Sequence, residues 1–146
     1  MMINYNEAVL SLAASFDCNT STYSFGYVIK YGEHPMETYS YKDNKKEYAG
    51  EGAIAGLVSG ISKGISRANF RNCYKITICH NSEVLQNWAT GKYTVKSNSG
   101  KRFKNILTDP MLNLKFVLLK NADRDEDFST AKNLAQRCLK KSLYYK

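Results

Sequence analysis

Three apolar segments rich in aromatic and β-branched residues follow one another from Val9 to Tyr41, separated by polar breaks of four or five residues. They read VLSLAASFD (Val9–Asp17), YSFGYVIKY (Tyr23–Tyr31) and METYSY (Met36–Tyr41). The composition and bounded length are those of strands, and breaks that short fit hairpin connections. An antiparallel meander is therefore expected at the start of the chain.

After Tyr41 the pattern changes. KDNKKEYAGEGAIAGLVSGISKGIS places Ile54, Leu57, Val58, Ile61 and Ile65 at helical spacing. Gly52, Gly56, Gly60 and Gly64 recur every fourth residue, a single stripe of such a helix. Each costs roughly 0.8–1 kcal/mol against alanine. Close packing on a sheet accounts for them, and a groove for a docking partner is the alternative. CYKITIC (Cys73–Cys79) predicts a fourth strand, SEVLQNWA a short helix, and NILTDPMLNL another helical piece interrupted at Pro110. KFVLLK (Lys115–Lys120) predicts a fifth strand. A closing helix over Asp125–Lys141 puts Phe128, Ala131, Ala135, Cys138 and Leu139 on one face. Three strands followed by strand–helix alternation predict an α/β domain, a mixed five-stranded sheet covered by helices, spanning residues 1–146 as one unit.

The chain is long enough for one real core, and its formal charge of +8 suggests a polyanionic partner. No apolar run approaches the length of a spanning helix, and the start lacks the basic flank of a signal peptide, so no membrane role is expected. Cys18, Cys73, Cys79 and Cys138 form no close pair. Reduced thiols and a cytoplasmic location are expected.

The element order, with Asp17 closing the first strand, resembles the ribonuclease H fold. SFDCNT, YAGEGAIAGL, KITICHNSEVLQNWATGKY and KFVLLKNADRDEDFSTAKNLAQRCL are similar to segments of bacterial type 1 ribonucleases H, in the group related to those with a viroplasmin-like N-terminal domain. No such domain is expected ahead of the first strand. The likeness covers residues 9 to 140. It implies four acidic positions: Asp17, Glu51, a third just after strand four that is Asn81 here, and a fourth in the closing helix that is Lys132 here. The flexible-loop histidine of that group corresponds to Ala122. Asp17 and Glu51 are thus the implied metal ligands, and the implied cofactor is Mg (or Mn), bound weakly or not at all.

Two-metal phosphodiester hydrolysis needs concentrated carboxylate charge around a close pair of dications. A lysine ammonium about 4 Å from a dication would oppose it by roughly 8 kcal/mol at an effective dielectric near 20. Lys132 has two readings. Its ammonium replaces a metal and pairs with Asp17 and Glu51, or it lies along the helix edge facing solvent. Substitute acids are available in Glu47, Glu83, Asp125 and Asp127, with Glu47 the best placed if the first long helix starts early enough. His80, beside Asn81, is either a general base or a structural strand-end residue. His34, beside Pro35, is expected to be exposed.

Residues 84 to 108 contain no acid, while Lys92, Lys96, Lys101, Arg102 and Lys104 are interleaved with Trp88, Tyr93 and Phe103. On a mobile loop these cations would neutralise phosphates and the aromatics would pack on sugars or bases. The alternative is a solvated loop with Trp88 and Phe103 in the core. Three functions remain on the table. The first is a nucleic-acid-binding domain for RNA/DNA hybrid or structured RNA with weakened or lost cleavage. The second is an active Mg-dependent ribonuclease H with a rearranged carboxylate site. The third is a non-catalytic protein-interaction module.

Overall fold

The computed structural model describes residues 6–92 and 96–141. Strands β1 (Glu7–Asp17), β2 (Thr22–Tyr31) and β3 (Glu37–Asp43) form the expected antiparallel meander. A 3₁₀ turn over Lys46–Tyr48 leads to helix α1 (Ala53–Phe70). Then follow β4 (Lys75–His80), α2 (Glu83–Ala89), α3 (Asn98–Leu107), β5 (Asn113–Leu118), a 3₁₀ turn over Ala122–Arg124 and α4 (Glu126–Lys140). The sheet order is β3-β2-β1-β4-β5, with β4 parallel to both β1 and β5. Each parallel pair needs a helical crossover, which α1 and the α2–α3 unit supply.

The pleat sends alternate residues to opposite faces. On one face Leu10, Leu12, Phe25, Ile29, Ile76 and Ile78 meet Leu57, Val58, Ile61 and Ile65 of α1 in the main core. Gly56, Gly60 and Gly64 let that helix approach: a Cβ at Gly60 would lie 2.5 Å from Leu12 Cδ1, and one at Gly64 2.6 Å from Leu10 Cδ2. The stripe is packing, and its members are buried. Gly52 is not part of it. It precedes α1 at φ 77°, a left-handed conformation that glycine adopts at low cost.

The opposite face takes α4. Ser24 Oγ donates to the Ala135 carbonyl (2.7 Å), and Gly26 lies against the α4 backbone at Ala131 and Ala135. Ala13, Phe128 and Ala131 make a separate apolar cluster here, flanked by Leu119 and Ala122. Cys73 and Cys138 are buried, Cys18 is exposed and all four cysteines are free thiols. Among the described residues no helix is long and apolar enough to cross a membrane.

One element differs from expectation. The helix expected over NILTDPMLNL lies earlier, at Asn98–Leu107, with a turn across Pro110. Its start is fixed by capping: Ser97 Oγ accepts from Gly100 N (3.0 Å), and Glu51 Oε1 accepts from Ser99 N (2.8 Å). Lys101, Arg102 and Lys104 therefore ride on a helix, not on a loop.

Candidate functional site

β1 and β4 pair in parallel from Glu7↔Lys75 to Ser11↔Cys79. Continued by two residues, that register brings Asn81 level with Ala13. Asp17 lies four residues further along β1, roughly 13 Å beyond at the usual strand rise. The register thus separates two residues expected to converge. Asp17 Oδ1 instead accepts from Asn19 N (3.0 Å) in the β1–β2 turn. It faces a cavity of about 440 Å³ shared with Thr22, Lys42, Asp43, Leu139 and Lys141. Leu139 is seven residues, about 10 Å of helix, past Lys132.

The other expected site residues are also engaged elsewhere. Glu51 sits just before α1, and its carboxylate caps α3, where negative charge is favoured by the exposed N–H groups. Lys132 Nζ lies 3.6 Å from Asp123 Oδ1, with the two side chains 45% and 89% exposed. It is the solvent-facing reading that holds, and the ammonium does not sit between Asp17 and Glu51. Asn81 is exposed. The substitute acids fare no better. Asp125 caps α4 at Phe128 N (2.9 Å), Asp127 pairs with Lys30 (2.7 Å), and Glu83 is exposed in the first turn of α2. Glu47 belongs to the 3₁₀ turn, ahead of α1 rather than in its first turn, and is exposed. Among the described residues no three His, Cys, Asp or Glu side chains assemble as a metal-holding group.

His80 is fully buried. Its Nδ1 accepts from Ser82 N (3.0 Å), which leaves Nε2–H to donate to Gln86 Oε1 (2.8 Å). Gln86 Nε2 in turn donates to the Phe116 carbonyl (3.2 Å). Burial lowers the His80 pKa, and the Gln86 bond only partly opposes that. A neutral ring with both nitrogens bonded inside the core is structural and has no free lone pair for a substrate proton. The general-base reading is set aside on that ground.

The basic segment divides. Phe103 is buried, and half-buried Trp88 packs on it and on the core, with ring centroids 6.2 Å apart. The Phe103 ring is not available to a sugar or base, and Trp88 has part of its surface committed to the core. Lys92, Lys96, Lys101 and Lys104 are exposed, while Tyr93 lies outside the described residues. Arg102 turns inward: its Nη1 donates to Ser59 Oγ of α1 (3.0 Å), and its guanidinium lies 5.8 Å from the Tyr48 ring centroid.

A cluster that sequence reasoning missed ties β3 to the end of α1. Glu37 accepts from Arg67 Nε (2.6 Å), Arg67 Nη2 (2.9 Å), Arg71 Nη2 (3.0 Å) and Tyr31 Oη (2.9 Å). The Arg67 contact, aided by Arg71 and Tyr31, holds the carboxyl down at about 2 against the opposing effect of burial. The signal in the sequence was weak, because an acid on one strand and arginines thirty residues later carry no local mark.

Comparison with solved structures places the fold. RNase H1 of the halophilic archaeon Halobacterium salinarum superposes with a TM-score of 0.71 at 12% identity, covering 91% of this chain and 97% of that one. An N-terminal RNase H domain from Mycobacterium tuberculosis gives 0.69 at 12% identity, covering 90% and 97%. LC11-RNase H1, isolated from compost by a metagenomic approach and solved in complex with an RNA/DNA hybrid, gives 0.67 at 13% identity, covering 90% and 99%. The fold is that of ribonuclease H. No family model matches the chain, and no curated protein matches it by sequence.

Proposed function

We propose that this chain is a ribonuclease-H-like domain of the cytoplasm that binds nucleic acid, an RNA/DNA hybrid or structured RNA, without two-metal cleavage. One observation carries the loss of cleavage. Where α4 packs on β1, the side chains are Ala13, Phe128 and Ala131, an apolar cluster. Just past β4 the third acidic position of the resemblance is an amide, Asn81, and on α4 the fourth is an ammonium, Lys132, that is paired with Asp123. Such a donor set does not fit a pair of magnesium ions, which need several carboxylate oxygens in one place. Glu51 and Asp17, the remaining acids of the resemblance, serve a helix cap and a turn.

Binding is supported by the net charge of +8, by the exposed Lys101 and Lys104 on α3, and by the hybrid bound to a neighbour of the same fold. Cations on a rigid helix contact phosphates and release counterions, so affinity should fall steeply with salt. The test pairs two assays on one labelled hybrid. Anisotropy should show salt-dependent binding that weakens in Lys101→Glu/Lys104→Glu, and incubation with Mg²⁺ or Mn²⁺ should leave the hybrid intact. Metal-dependent cleavage that disappears in Asp17→Asn would overturn the loss of catalysis. Affinity indifferent to salt would overturn the phosphate contacts.

A further inference from the structure

The edge of the sheet beyond α1 is open. Two adjoining cavities of about 460 and 630 Å³ run between β3 and α1 and share Lys63 and Ser66. Their floor is aromatic and continuous: Phe25 lies 6.3 Å from Tyr41 and 6.0 Å from Tyr39, and Tyr39 lies 5.7 Å from Tyr27, between ring centroids. Tyr39 and Tyr41 remain 38% and 47% exposed, so their rings present free surface. The wall is polar. Ser59, Ser62 and Ser66 of α1 line it with Lys63, and Lys45 and Arg102 close one end.

Charge selects the occupant. The lining holds four cations, Lys45, Lys63, Arg67 and Arg102, against two carboxylates, Glu37 and Asp43. Glu37 is already saturated by Arg67, Arg71 and Tyr31. Neither Lys45 nor Lys63 takes part in an ion pair among the described residues. Exposed rings at the floor of a cationic groove suit an anionic chain with flat, unstacked rings. A duplex offers phosphates but keeps its base faces stacked inside.

We propose that the β3–α1 groove binds a single-stranded polynucleotide, with bases stacked on Tyr39 and Tyr41 and phosphates on Lys45, Lys63 and Arg102. It deepens the nucleic-acid reading above by adding a second contact, for an unpaired strand beside the duplex. Ser62 and Ser66 line the groove within reach of sugar or phosphate oxygens, whereas Ser59 is bonded to Arg102. Because the two contacts use different residues, they can fail separately.

The experiment measures anisotropy of labelled oligo(U) and oligo(dT) of about 12 nucleotides, a length such grooves track, alongside the RNA/DNA hybrid. Tyr39→Ala/Tyr41→Ala should weaken both oligonucleotides about tenfold or more while leaving the hybrid unchanged, and the Tyr39→Phe/Tyr41→Phe pair should keep binding within about twofold. Lys63→Glu should weaken the oligonucleotides and flatten their salt dependence. Equal binding of the two sugars makes base and backbone contacts sufficient. A preference for RNA adds the serines as readers of the 2′-hydroxyl, and either result supports the groove. The proposal is overturned if the native protein binds neither oligonucleotide, if the alanine pair binds as tightly as native, or if a poly-glutamate peptide of equal charge competes as well as oligo(U). Loss of hybrid binding with oligonucleotide binding intact would remove the hybrid reading and leave the groove standing.

Discussion

The two faces of the sheet receive their helices differently. Under α4 the contact is close: Ala13, Phe128 and Ala131 pack together, Gly26 lies against helix backbone, and Ser24 is bonded to it. Under α1 the contact is equally close from Leu10 to Phe25, yet past Phe25 the outer strand β3 is left uncovered, with tyrosines and lysines around open space. Of the residues that the resemblance marks, Asp17 opens on a cavity of its own beside Leu139 and Lys141 and Glu51 caps α3, while the aromatic, charged groove lies between β3 and α1. At that groove polar groups and free rings meet solvent.

The contrast has measurable consequences. Ala13→Asp would bury an uncompensated carboxylate in the α4 cluster and should cost about 3–5 kcal/mol by chemical denaturation. If the variant is instead nearly native and is stabilised by Mg²⁺, the close-packed description is wrong. Gly26→Ala should cost about 3 kcal/mol, because its methyl would meet the Ala131 carbonyl and the Ala135 amide, neither of which can step aside. Gly64→Ala meets only the tip of the Leu10 side chain and gains helix propensity, so a much smaller loss is expected. Equal costs at the two positions would show that α1 and α4 are seated alike.

Smaller effects belong to the open edge. Glu37→Gln weakens the anchor between β3 and α1 and should cost about 1–2 kcal/mol at pH 7, a value discounted because the cluster is partly solvated. The native carboxyl is depressed from 4.5 to about 2, so the folded state holds fewer protons there than the unfolded chain. Its stabilisation is present above pH 4.5 and is lost as pH falls from 4.5 toward 2. Denaturation curves of native and Glu37→Gln protein should therefore converge across that window. Least of all, Lys132→Ala should change stability by less than about 0.5 kcal/mol, as its pairing with Asp123 is exposed. A loss several times larger would return Lys132 to the interior of the site.

Much of the candidate site was hidden because its geometry is set by pairing over long distances. Phe128, Ala131, Ala135 and Cys138 were legible as the buried face of α4, since helical spacing is local. Asp17 was misplaced because a strand-end acid looks the same in sequence whether or not its neighbour strand reaches that level. Register against β4 decides the level, and β4 begins more than fifty residues later. The start of α3 was missed for a similar reason. Its second cap, Glu51, is 48 residues away from Ser99.

The sequence by itself determined the meander, the strand–helix alternation, the glycine-lined helix and the positive charge, all of which follow from periodicity and composition within short windows. Tertiary structure alone decided that β1 pairs with β4 only as far as Ser11 and Cys79, well short of Asp17, that Lys132 turns to Asp123, and that tyrosines of β3 stay open beside lysines. Those outcomes depend on strand register and on which surfaces helices cover. Both are settled by packing between residues far apart in the chain, where no local pattern records the partner.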